Sequence, residues 1–209
     1  MVEYERLSVW TGVGVPVWTL ATMLLATVLS PSFSWTANDL SNLGASTDVA
    51  TPLTIALFNG GLISGGLVGV AFAGALWIGS QHPVERLGAV PFALTVLTMA
   101  GVGVFPQFHP LHFPVAVGFF LLISVTLWVY GAGNLLAGAR ARGGATIALG
   151  VLNLGVWVAW VQFEWLSQPG LAIPEVIGAF IFAAWTTATA RWHLSGARSL
   201  CHPNSEGSI

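Results

Sequence analysis

The sequence predicts an all-α fold, a six-helix transmembrane bundle with both termini cytoplasmic, and three observations carry that expectation. Charge is scarce: of 209 residues 7% are charged and 55% hydrophobic, with a mean hydropathy of +0.80. A soluble domain carries about 25% charged residues, so this chain could not cover a water-facing surface. The apolar residues gather in six runs, each close to the ~20 residues that a membrane span needs. Finally, the basic residues fall only at alternate junctions between those runs.

The runs cover Leu7–Ser30, Pro52–Gly79, Gly88–Phe105, Pro114–Ala137, Gly144–Trp165 and Ile173–Ala190. The first is too long for a cleavable signal, whose apolar region has about 7–15 residues, and is expected to be retained. Thr51-Pro52 and Ile173-Pro174-Glu175 place proline in a first helical turn, where its missing N–H costs nothing. Pro106, Pro110 and Pro114 bracket a tight turn, and Gly143-Gly144 is expected to separate spans four and five. The whole chain reads as one integral membrane domain, with residues 191–209 as a polar cytoplasmic tail.

Orientation follows from the arginines, since cytoplasmic loops are enriched in basic residues. Arg6, Arg86, Arg140, Arg142, Arg191 and Arg198 all fall on the side of the termini, and there is no lysine. That side is expected to be the cytoplasmic face of the cell membrane. Trp10, Trp77 and Trp192 would anchor the inner boundary, Trp35 and Trp165 the outer one.

Several classes are excluded. Without lysine there is no retinal Schiff base, and no c-type haem motif or nucleotide loop is present. Nothing suggests nucleic-acid binding. The middles of the spans hold no Arg, Asp, Glu, His or Lys, which argues against ion-coupled transport and voltage sensing. Asn59 and Asn153 are the notable polar side chains there, expected to bond across helices. In span two, Gly61, Gly65 and Gly69 recur every four residues and form a smooth stripe. It suits close helix packing within the chain, or a homo-oligomer or membrane-protein partner.

The informative chemistry lies at the outer end. Asp39, Asp48, His109, His112, Glu164 and Glu175 gather there with no arginine. His112, Asp39, Glu164 and Glu175 are candidate general acids or bases. His109, His112 and Asp39 are candidate ligands for a divalent metal, the one cofactor the sequence leaves open. Asp39 followed by Leu40-Ser41-Asn42-Leu43-Gly44 reads as a capped helical turn that ends at Gly44.

Three short patterns carry a family resemblance. Asp39-Leu40-Ser41-Asn42-Leu43-Gly44 looks like an N-x-S-D/N-L-G element, Phe58-Asn59-Gly60-Gly61 like an F-N-x-G start of span two, and His112, Ala116, Phe119 and Phe120 match H-x-x-x-A-x-x-F-F in span four. The chain thus resembles domain-of-unknown-function family 998, prokaryotic polytopic membrane proteins that are in turn similar to Frag/DRAM/Sfk-type proteins. The resemblance marks Ser41, Asn42, Gly44, Asn59 and His112 as binding candidates beside His109. It implies no activity, and its distant relatives suggest a link to membrane lipids. The expected function is a lipid- or partner-binding membrane protein with an outward polar site. The alternatives are an outer-leaflet lipid hydrolase or transferase, and a facilitative transporter of a neutral solute.

Overall fold

A computed structural model describes residues 3–162 and 170–201. The elements in order are α1 (Glu3–Val28), the 3-10 turn η1 (Leu40–Gly44), α2 (Pro52–Gly79), α3 (Pro83–Leu87), α4 (Ala89–Val104), α5 (His112–Leu136), α6 (Arg140–Gln162) and α7 (Ala172–Cys201). Every regular element among the described residues is helical. Six segments of 22 to 28 residues are long and apolar enough to cross a membrane. At ~1.5 Å per residue the shortest reaches about 33 Å, more than the ~30 Å hydrocarbon core.

Local chemistry starts the helices. At α2, Thr51 Oγ1 accepts from Thr54 N at 3.2 Å and Thr54 Oγ1 accepts from Thr51 N at 2.8 Å, with Pro52 in the first position. Two backbone donors that a helix start leaves unpaired are thereby satisfied. At α3, His82 Nδ1 accepts from Val84 N at 3.2 Å. Gly88 then joins α3 to α4, so the third span runs from Pro83 to Val104 and starts before the expected Gly88.

Two boundaries correct the sequence reading. The break between spans four and five is at Gly138, with φ +84°, not at Gly143-Gly144. Gly143 lies inside α6 and is buried, where its own Cβ would come within 2.7 Å of the Gly131 carbonyl oxygen. Gly143 thus serves a close approach of α5 and α6, and neither it nor the exposed Gly144 breaks the helix. The last span also continues as helix to Cys201, past the expected end at Ala190. Because Gly138 has open space around it, the cost of a side chain there is the left-handed backbone alone. Gly138→Ala should therefore lower stability by about 1 kcal/mol, read as a small fall in the thermal midpoint of the detergent-solubilised protein.

The spans form a closed ring in the order α1, α2, α4, α5, α6, α7, with α7 returning to pack on α1. An aromatic core fills the half nearer the termini. Phe92 meets Phe72 edge-on at 5.5 Å, Phe182 at 5.4 Å and Trp185 at 6.0 Å between ring centroids. Outward faces carry exposed Val17, Leu67, Leu94, Leu121 and Val151, an apolar surface suited to lipid. The glycine stripe of α2 is occupied inside the chain: Gly61 and Gly65 receive Thr22 and Thr19 of α1, and Gly69 receives Val96 of α4.

Candidate functional site

At the end of the bundle away from the termini, the chain between the spans is knotted together by polar side chains. Asp39 Oδ1 accepts from Leu171 N at 2.8 Å and Oδ2 from Gln107 Nε2 at 3.0 Å. Asn42 accepts from Asp39 N at 2.8 Å and donates to the Gln107 side-chain oxygen. Asp39 thus ties η1 to the turn before α5 and to the segment before α7, with both carboxylate oxygens in use. Asn59 Nδ2 donates to the Gly44 carbonyl at 2.8 Å, and a Cβ on Gly44 would strike the Asn59 side chain. Asn42, Gly44 and Asn59, three of the expected binding residues, therefore build the frame that holds η1 against α2.

The frame presents Ser41 inward. An apolar cavity of about 80 Å³ runs through the bundle. Ser41, His112 and Glu175 line it at the η1 end, and Gly12, Phe72 and Phe92 line it toward the termini. α1, α2, α4, α5 and α7 contribute its walls, while α6 contributes none. The walls between are mostly apolar, including Leu62, Met99, Phe119 and Ala179, with Thr19 and Thr186 among them.

The three polar groups at the η1 end come from three elements and each has an atom to spare. Ser41 is 6% exposed and its hydroxyl bonds to no other described residue. His112 is 8% exposed. Its Nδ1 donates to the Phe105 carbonyl at 2.7 Å; that oxygen can only accept, so a neutral ring keeps its lone pair on Nε2. Glu175, in the first turn of α7, accepts from Leu40 N through Oε2 at 2.7 Å, and Oε1 has no partner among the described residues.

The sequence candidates thus separate. Ser41, His112 and Glu175 share the cavity, whereas Asp39 is consumed by structural bonds. His109 is exposed, accepts from Leu111 N at 3.1 Å and stacks on Phe105 at 4.8 Å. It does not line the cavity with His112. No group of three or more His, Cys, Asp or Glu side chains able to hold a metal ion occurs among the described residues. Asp48 is exposed, and Glu164 and Trp165 lie outside the described residues. Asn153 Nδ2 donates to the Phe120 carbonyl at 3.0 Å and to Ser124 Oγ at 2.9 Å, which sutures α6 to α5. Neither Asn59 nor Asn153 lines the cavity. The polar path that a transport reading would draw through them is not formed.

A second polar cluster, at the end near the termini, is not anticipated by the sequence reading. Glu85 of α3 is 0% exposed. Its Oε1 accepts from Asn134 Nδ2 at 3.0 Å and its Oε2 from Gln81 N at 2.8 Å. Asn134 Oδ1 in turn accepts from Arg142 Nε at 2.6 Å, and the Arg142 guanidinium lies 3.5 Å from the centroid of the Trp192 ring. Trp192 is therefore a stacking partner of an arginine as well as a boundary residue. Nearby, Tyr130 Oη and His193 Nε2 are 3.2 Å apart, which links α5 to α7.

Six long apolar helices closed around an interior cavity define a multi-pass integral membrane protein. The chain belongs to the family described as "Protein of unknown function (DUF998)", whose model matches residues 13–192. No curated protein and no solved structure matches it.

Proposed function

We propose that the protein binds a membrane lipid, with one hydrocarbon chain lying in the interior cavity and the polar head held by Ser41, His112 and Glu175. The observation that carries this reading is the pairing of a narrow apolar channel with three inward polar groups at one end. Ligand pockets have this composition, mostly apolar walls with a few placed polar groups. A small polar solute would find only hydrocarbon along most of the length. The segregation of arginines toward the termini supports placing the polar end at the outer leaflet of the cell membrane. A lipid-modifying activity would need Ser41 activated by His112, and no hydrogen bond joins them among the described residues. The binding reading is therefore better supported.

Mass spectrometry of lipid retained after purification in mild detergent tests the proposal. Each lost hydrogen bond of about 1 kcal/mol should weaken retention roughly fivefold. Ser41→Ala with His112→Ala should strip most of the retained lipid while the thermal midpoint with added lipid stays near wild type. Ala179→Leu, which narrows the channel, should do the same from the chain side. Equal lipid content in all three proteins would overturn the reading.

A further inference from the structure

Resting on the lipid-binding reading, we infer that the cavity measures its ligand: it admits one chain of about 12–14 carbons, because Phe72 and Phe92 close its far end at a fixed depth.

The depth follows from the walls. On α1 the lining residues Thr11, Val15, Thr19 and Met23 fall about one per turn along a single face, and on α7 Glu175, Ala179, Ala183 and Thr186 do the same. At ~1.5 Å per residue the two stripes are about 18 and 17 Å long, and the α4 stripe from Phe92 to Val102 is about 15 Å. An extended hydrocarbon advances about 1.25 Å per carbon, since its ~1.5 Å bonds meet near the tetrahedral angle. The stripes therefore match about 12–14 carbons. Threonines do not make these walls polar, because the hydroxyls of Thr11, Thr19 and Thr186 donate to the Ser8, Val15 and Phe182 carbonyls of their own helices.

The width allows one chain. A water-sized site takes about 10–15 Å³, so the 80 Å³ of the cavity amount to roughly six such sites, single file along that length. A second chain has no room beside the first.

The far end is shut. Phe72 and Phe92 are 0% and 1% exposed and meet edge-on. Phe72 is held tightly against α1, where a Cβ on Gly12 would come within 2.6 Å of its ring. Beyond them toward the termini, Leu76, Tyr130 and Trp185 are buried in the same cluster. A longer chain that reaches this floor must keep its extra carbons at the other end, which lifts its head away from Ser41, His112 and Glu175. Losing one or more head-group hydrogen bonds should lower affinity at least about fivefold.

The test offers the full chain an equimolar mixture of straight-chain monoacylglycerols of 10 to 22 carbons, in a steroid-based detergent that brings no straight chain of its own. A parallel mixture of lysophosphatidylcholines changes the head, and native mass spectrometry reads which lengths are retained. Chains of 12 and 14 carbons should exceed those of 18 or more at least about fivefold. Ala183→Leu places a block about 12 Å below Glu175 and should move the preference down to about 10 carbons. Phe72→Ala lowers the floor and should admit 18 carbons; thermal midpoints report whether each variant folds, and Ala183→Leu, which fills space, decides if Phe72→Ala does not. Equal retention of all lengths, or a length profile unchanged in Ala183→Leu, overturns the inference and leaves the cavity reading standing. No retention of any length with either head would overturn the cavity reading itself.

Discussion

Gly133→Ala should abolish the folded bundle or lower its stability by about 3 kcal/mol or more, at or above the upper end of what overpacking costs. The added Cβ would land 2.2 Å from both the nitrogen and the Cα of Glu85. No side chain can swing away, because both offending atoms belong to the backbone. α3 cannot retreat either, since the Glu85 carboxyl is bonded to Asn134 one residue along from Gly133. Gly144→Ala is the matched control, exposed and with nothing within 4 Å of the added carbon. It should be neutral or slightly stabilising, because alanine has the better helix propensity. Equal thermal midpoints for the two variants would contradict the close approach of α3 and α5.

Glu85→Ala should be the second severe change, at about 3–5 kcal/mol, the range for removing one partner from a buried charge-linked pair. It strands the buried Asn134 amide and leaves the Gln81 N–H without its partner. The restraint passed from Asn134 to Arg142 is lost with it. Glu85→Gln offers an informative intermediate. Its oxygen can satisfy one donor, but its amide then faces the other. Asn134 cannot flip to help without releasing Arg142. One hydrogen bond is lost, at about 1–3 kcal/mol. The thermal midpoints should therefore fall in the order wild type, Gln, Ala. Identical midpoints for Gln and Ala would show that the hydrogen bonds carry little of the stability.

The spans were legible because length and hydropathy are properties of a contiguous run, and crossing a membrane demands little else. α3 was not, because Glu85 and Arg86 made Pro83–Leu87 look like loop. The burial of Glu85 depends on Asn134 and Arg142, which are far away in the chain. The turn fell at Gly138 and not at Gly143 for a similar reason: a glycine that turns the chain and one that admits a neighbouring helix look alike until the neighbour is placed.

At the candidate site the residue types were legible and their grouping was not. Ser41 and His112 were marked by short patterns, and Glu175 by its place among the outer carboxylates. Their meeting at one cavity end is set by how η1, α5 and α7 converge, which no spacing encodes. Asp39 stands apart from them. A carboxylate near two histidines suggested chemistry, yet it spends both oxygens holding the frame. Asn42, Gly44 and Asn59, which match the short patterns, hold in place the turn that carries Ser41.

The contact between α7 and α1 has a consequence for how the protein is made. A chain emerging N-terminus first delivers η1 and α5 before α7 exists. Ser41 and His112 can be in position while the wall bearing Glu175 is still missing. During that interval the future cavity is a cleft, open sideways to the surrounding hydrocarbon. On the proposed lipid-binding reading, a lipid that enters during that interval is enclosed when the last helix docks.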